Sequence, residues 1–126
     1  MYELADSFKS KAYSPYSKFM VGASVLADDG RIFGGCNIEN SSYSATICAE
    51  RVAIFKAISE GARYIKAILI TSNGKDTFPC GICRQVIGEF SREDTKIIIS
   101  NSLDDYRIYT IDELLPYKFS KENLDV

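Results

Sequence analysis

Two short stretches concentrate the residue types that do chemistry: Cys48-Ala49-Glu50-Arg51 and Pro79-Cys80-Gly81-Ile82-Cys83-Arg84. Each opens an apolar-periodic segment that reads as a helix. A thiol at a helix N-terminus meets unpaired backbone N–H groups and the positive end of the macrodipole, and both favour the thiolate. Cys80 and Cys83 stand three residues apart, so they share one face of a first turn. Two such helix starts facing each other present three thiolates to one soft divalent ion, and zinc suits that ligand set best. Glu50, two residues past Cys48, then lies beside the metal without ligating it. Three protein ligands leave a fourth position for water, which separates a catalytic zinc from a structural one. The chain contains no histidine. No imidazole is available as general base, and that duty falls to a carboxylate, Glu50. A rival reading makes Cys36 a fourth ligand of an inactive structural zinc module; it uses every cysteine but gives Glu50 no task.

Size and charge narrow the setting. With 126 residues the chain has the length of a single domain, 1–126, and its 46% hydrophobic and 25% charged residues match an ordinary globule. A net charge of −2 with no basic run lacks the electrostatic footprint of a nucleic-acid binder. No apolar stretch approaches membrane-spanning length, so no membrane partner is expected. Met1-Tyr2-Glu3-Leu4-Ala5-Asp6 has neither the basic nor the apolar region of a signal peptide. Reduced cysteines and a cytoplasmic location are therefore expected rather than two disulfides.

The elements that must carry the site follow from periodicity. Residues 2–13 hold Leu4, Ala5, Phe8 and Ala12 at helical spacing, with Pro15 closing the element. Phe19 to Ala27 reads as a strand, Asp29-Gly30 as a hairpin turn and Arg31 to Ile38 as the returning strand. Gly34-Gly35 inside that second strand marks a bulge or a close backbone approach. The second helix is expected from about Ala45 to Glu60, apolar nearly all round and so centrally buried, with Gly61 as its cap. Ile65 to Thr71 is a continuous apolar run, as in a parallel strand covered on both faces. The third helix is expected from Cys80 to about Phe90. Lys96 to Ser100 and Tyr106 to Ile111 are two further strands. Only Asn101 to Asp105 separates them, too short for a parallel crossover, so they must form an antiparallel hairpin. A short helical turn at Leu114-Leu115 is stopped by Pro116. The polar cluster Asn37, Glu39 and Asn40 after the second strand reads either as a solvated capping loop or as a sugar-recognition site, since an amide and a carboxylate together donate to and accept from hydroxyls.

Tyr16-Ser17-Lys18-Phe19, Cys36-Asn37-Ile38-Glu39-Asn40, Cys48 to Arg51, Pro79 to Val86, and Leu114-Leu115-Pro116 with Phe119 resemble, in this order, the zinc-dependent cytidine deaminases of the small, homotetrameric, three-cysteine form. The resemblance implies an α/β fold: a three-layer α/β/α sandwich whose mixed five-stranded sheet has the order 2-1-3-4-5. It implies hydrolytic deamination of cytidine and 2′-deoxycytidine with release of ammonia, as in pyrimidine salvage. One zinc per subunit would be held by Cys48, Cys80 and Cys83, with Glu50 shuttling protons as water attacks C4. It implies Arg51 hydrogen-bonded to ligating sulfur, the Ala49 N–H donating to the base O2, and Phe19 against the ring or sugar. Asn37 and Glu39 would bind the ribose, and a carboxylate at Glu39 favours a free nucleoside over a nucleotide. Tyr43 and Phe119 would contribute across subunit interfaces of a homotetramer. The antiparallel last hairpin also agrees with a small-molecule substrate rather than a polynucleotide. Two positions depart from the pattern: Phe78 stands where serine is usual before the proline, and Ser41 replaces a common alanine. A deaminase of a nucleoside-like antibiotic shares the zinc motifs, but would not be expected to keep Asn37, Glu39 and Asn40.

Overall fold

The computed structural model describes residues 1–124. Strands β1 (Val21–Ala27), β2 (Ile32–Cys36), β3 (Ile65–Ser72), β4 (Ser91–Ser100) and β5 (Tyr106–Tyr109) form one sheet in the order β2-β1-β3-β4-β5. The helices are α1 (Tyr2–Lys9), α2 (Ala49–Ser59), α3 (Gly81–Phe90) and α4 (Ile111–Leu114). The β1–β2 hairpin turns at Gly30, whose φ of 91° only glycine adopts freely, as Asp29-Gly30 predicted. β3 and β4 are parallel, linked through α3, while β5 returns antiparallel to β4. The expected hairpin and strand order are both present.

The two adjacent glycines of β2 show how the layers are stacked. Successive residues of a strand face opposite sides of the sheet. A Cβ on Gly34 would lie 2.3 Å from the Phe8 ring of α1, whereas one on Gly35 would lie 2.6 Å from Ala53 N and 2.7 Å from Ala49 O of α2. So α1 and α2 cover opposite faces, and the second of them rests directly on glycine. β2 pairs with β1 without a register break. The glycines therefore serve close approach rather than a bulge. Between the layers Val25, Ile54, Ile65, Ile68, Ile70, Ile87 and Ile97 are fully buried, which accounts for the apolar character of β3, broken only by the exposed Lys66 before Ala67–Ile70.

β1 starts at Val21, β2 ends at Cys36 and β5 ends at Tyr109, each two residues inside the expected strand, and three boundaries differ from the periodicity by four residues or more. α1 ends at Lys9 rather than near residue 13, because Tyr13 leaves the helix to pair with the chain after β2: its N–H donates to Asn37 O (3.0 Å), and Glu39 N–H donates to its carbonyl (2.8 Å). α2 begins at Ala49, not Ala45. Tyr43–Ala45 is a separate 3₁₀ turn, and Ile47 is extended, exchanging two 3.0 Å backbone hydrogen bonds with Ile38. β4 starts at Ser91, directly after α3, and crosses a register shift opposite Ile65 and Ala67. The buried Thr95 hydroxyl pins that irregularity, donating to Ile65 O (2.7 Å) and accepting from Arg92 N (2.9 Å). Helical spacing alone misses such ends because β-bridges and side-chain caps from distant residues decide them. No helix among the described residues is long and apolar enough to cross a membrane.

Candidate active site

The late start of α2 sets the chemistry. Because Ile47 is held to Ile38, Cys48 has extended backbone angles and becomes the N-cap of α2, with no side-chain cap bond taking up the first-turn N–H groups. Cys80 is likewise the N-cap of α3, and Cys83 sits in its first turn, fully buried. The three Sγ atoms lie within 4.8 Å of one another, with Cys48 and Cys80 3.8 Å apart. Zn–S bonds near 2.3 Å at tetrahedral angles leave sulfurs about 3.8 Å apart, so the three thiols fit zinc with one position to spare. Cys36 is outside the group. It pairs with Gly22, whose missing Cβ would point at Ala5 of α1, and cross-strand partners share a face. Cys36 therefore looks into the α1 layer.

The electrostatics suit this ligand set. The neighbouring Cys83 thiol, then Arg51 and Cys80, hold the Cys48 thiol down to about 5, although its partial burial opposes them. The same pairing with Cys48 pushes the Cys83 thiol up, reinforced by burial. Without metal one sulfur carries the charge while another keeps its proton, and metal binding must displace that proton. The Arg51 guanidinium donates through Nη2 to Cys48 Sγ at 3.5 Å, while its buried Nε has no partner and remains a spare donor beside the sulfurs. Glu50 is 4% exposed. Burial pushes its carboxyl up to about 7, and the Cys48 charge pushes the same way. A carboxyl that both holds and releases a proton near neutrality is suited to general acid–base work.

Phe19, Asn37, Cys48, Ala49, Glu50, Phe78 and Cys80 line one cleft. Tyr43 and Glu39 lie in an adjoining groove with Tyr16 and Ser17, joined to the cleft at Thr46. Phe119 is not brought to its own chain's cleft. Its ring is 58% exposed, and its carbonyl accepts from Gln85 Nε2 on α3 at 2.8 Å. Asn37 is engaged within the chain: Oδ1 accepts from Val21 N (2.9 Å) and Nδ2 donates to Phe19 O (2.7 Å). One lone pair and one N–H of the amide remain for a ligand. The Glu39 carboxylate accepts from Tyr16 N (2.9 Å), Ser17 N (3.2 Å) and the Ser17 hydroxyl. The Ser17 hydroxyl holds Glu39 below the usual carboxylate range, so it is ionised at neutral pH. Phe78, which lines the cleft, packs its ring near Tyr109 of β5, 5.3 Å between centroids.

Sequence reasoning did not find Arg84 as a clamp. Its Nε donates to Pro79 O (2.8 Å) and its Nη1 to Leu114 O (2.7 Å), so one side chain ties the loop before Cys80 to the end of α4. Nor did it find Asn73, which holds the turn before β1. Both reach backbone groups 30 or more residues away, Leu114 O for Arg84 and Lys18 O and Met20 N for Asn73, and the sequence signals were an arginine beside a ligand and an asparagine in a polar loop.

A thiolate zinc site that opens on a cleft, with a buried proton-exchanging carboxyl at its rim, belongs to the zinc-dependent hydrolases rather than to structural zinc modules. Relatives make the class specific. Residues 1–100 match the family described as the cytidine and deoxycytidylate deaminase zinc-binding region. The chain is 50% identical over 124 residues to a cytidine deaminase of Sporosarcina psychrophila, covering 96% of this chain and 91% of that one. It is 48% identical over 115 residues to a cytidine deaminase of Halalkalibacterium halodurans, covering 90% and 87% respectively. The crystal structure of cytidine deaminase from Burkholderia pseudomallei superposes with a TM-score of 0.87 at 40% identity, covering 94% of this chain and 95% of that one. The chain belongs to the cytidine and deoxycytidylate deaminase zinc-binding family.

Proposed function

We propose that the chain hydrolyses the 4-amino group of cytidine and 2′-deoxycytidine, giving uridine or 2′-deoxyuridine and ammonia. The observation that carries this reading is the buried Glu50 carboxyl at the helix start that also supplies Cys48 to the three-thiol cluster. Cys48, Cys80 and Cys83 would hold zinc, which when bound makes water a nucleophile near neutral pH. Glu50 takes a proton from the attacking water and passes it to N3 of the base; it then takes the proton of the new C4 hydroxyl and gives it to N4, so that the C4–N4 bond breaks, the C4 carbonyl forms and ammonia leaves. One group can serve all three atoms because a carboxyl has two oxygens and exchanges protons at working pH. Arg51, bonded to Cys48 sulfur, offsets the negative charge of the thiolates. The first-turn N–H of Ala49 is the donor for the base O2, and Phe19 packs on the ring.

Asn37 and Glu39 receive the ribose hydroxyls through the hydrogen-bonding capacity their own-chain contacts leave over. An ionised Glu39 disfavours a phosphate, which supports a nucleoside substrate. The partner is a second copy of the chain, in a homotetramer acting as one domain per subunit in the cytoplasm. Three exposed aromatic side chains support the assembly: Phe55 on the outer side of α2 (44% exposed), Tyr43 (76%) and Phe119 (58%). Tyr43 and Phe119 would complete a neighbour's site. Purified zinc-loaded protein mixed with cytidine should lose the cytosine absorbance and release ammonia in equal amounts. Absorbance unchanged by protein with its zinc in place would overturn the proposal.

A further inference from the structure

Phe19 lies in a short turn that two asparagines hold from opposite sides. Asn37 takes the carbonyl of Phe19 and the N–H of Val21. Asn73, the first residue after β3, takes the rest. Its Oδ1 accepts from Met20 N (3.1 Å), its Nδ2 donates to Lys18 O (3.0 Å), and its own backbone N–H donates to Met20 O (3.0 Å). The turn needs holding, because Lys18 has a φ of 62°, a left-handed conformation that costs a residue with a side chain. Lys18 N–H donates to Ser14 O at 3.0 Å, and Asn73 fixes the same residue's carbonyl end. The next residue is Gly74. A Cβ there would stand 2.9 Å from Phe19 Cε1, with Ser72 Oγ next at 3.5 Å. Gly74 has no positive φ of its own, so the space for the ring is what a side chain would take away.

We propose that Asn73 and Gly74 are positioning residues for substrate: Asn73 locks the Lys18–Met20 turn that aims the Phe19 ring into the cleft, and Gly74 leaves the room the ring occupies. This rests on reading Phe19 as a contact for the nucleoside. No hydrogen bond of the Asn73 side chain reaches Cys48, Glu50, Cys80 or Cys83. Loosening the turn weakens ground-state and transition-state binding alike, a loss that raises KM and leaves kcat.

The test compares cytidine turnover, zinc content and calorimetric uridine binding for wild type, Asn73→Ala, Gly74→Ala, Phe19→Ala and each of the first two combined with Phe19→Ala. Losing one or two uncharged hydrogen bonds, or displacing one ring contact, should raise KM and the uridine Kd about five- to tenfold, with kcat within about twofold and zinc unchanged. Asn73→Asp keeps the acceptor for Met20 N and should fall between. With Phe19→Ala already present, neither change should raise KM further. Unchanged KM in both single variants would overturn the proposal, as would an equal rise without Phe19, or a fall in kcat accompanied by lost zinc. If Asn73→Ala fails to fold, Gly74→Ala decides, since it removes no hydrogen bond. A wild type that neither binds uridine nor consumes cytidine overturns the nucleoside reading and this proposal together; an active wild type with unaffected variants overturns this proposal alone.

Discussion

Among the four cysteines, position relative to the sheet separates ligands from bystander. Cys36 is a buried thiol facing α1, and burial pushes it away from ionisation. Cys36→Ser should therefore retain one zinc per chain by atomic absorption, while Cys83→Ser, Cys48→Ser and Cys80→Ser should each lose it. Zinc lost from Cys36→Ser alone would restore the structural-module reading. Glu39 makes a different kind of prediction. The Ser17 hydroxyl and two backbone N–H groups favour its ionised form, so its folded pKa lies below the ordinary 4.5. A depressed carboxyl stabilises the fold above its unfolded pKa, and that contribution is lost as pH falls through the lower folded value. Ser17→Ala brings Glu39 back toward its ordinary pKa. Acid unfolding followed by circular dichroism should then begin at higher pH than in wild type, and the stability difference between the two proteins should be full at neutral pH and shrink as pH falls through the range where Glu39 is protonated. Part of the site was legible in the residues themselves: spacing pointed to the cluster of Cys48, Cys80 and Cys83, and the lack of histidine made Glu50 the candidate base. The engagement of Asn37 and Glu39 with their own chain was not. Polar side chains after a strand look the same in sequence whether they hold a sugar, a turn or both.

At the scale of elements, the two helix starts are positioned by what lies beneath and before them. α2 rests on Gly35, where an added Cβ would meet the backbone of Ala49 and Ala53, while a Cβ on Gly34 would meet the flexible ring of Phe8. Overpacking of this kind costs roughly 1–3 kcal/mol. Gly35→Ala should destabilise by at least that much in urea and depress kcat, because the helix it lifts carries Cys48 and Glu50. Gly34→Ala should cost stability but spare kcat, since Phe8 belongs to the opposite layer. Equal kcat for both variants would mean that α2 is not seated as described. The strands were readable from alternation, the Asp29-Gly30 turn and the short link before β5, whereas their order came from the family resemblance. The start of α2 was not. Ala45, Thr46 and Ile47 look helical beside the apolar run, but Ile47 gains a β-bridge to Ile38 that a local pattern cannot register. That lost turn is why Cys48 caps the helix instead of lying inside it.

At the scale of the whole molecule, an ordered series of motifs from Tyr16 to Phe119 made the family legible before any coordinate was considered. The proposal of a homotetramer rests on the resemblance, since Phe119 does not line the cleft of the three cysteines in its own chain. Glu50→Gln and Phe119→Ala should each be nearly inactive alone. Unfolded together and refolded as mixed tetramers, they should regain activity, since with equal random mixing and one donor per site roughly a quarter of the sites pair an intact Glu50 with an intact Phe119. Activity fixed at the parental average in proven mixed tetramers would remove Phe119 from the neighbour's site. Deamination as proposed turns on Glu50 moving protons beside a three-cysteine zinc, and the most direct measurement is kcat for cytidine in Glu50→Gln with zinc content determined on the same sample. Glutamine keeps the volume and hydrogen-bonding outline but cannot exchange a proton. Full zinc, wild-type unfolding and a kcat lower by at least about 10³, beyond the middle of the usual general acid–base range, is the predicted result. Full zinc with kcat within about tenfold of wild type would contradict it.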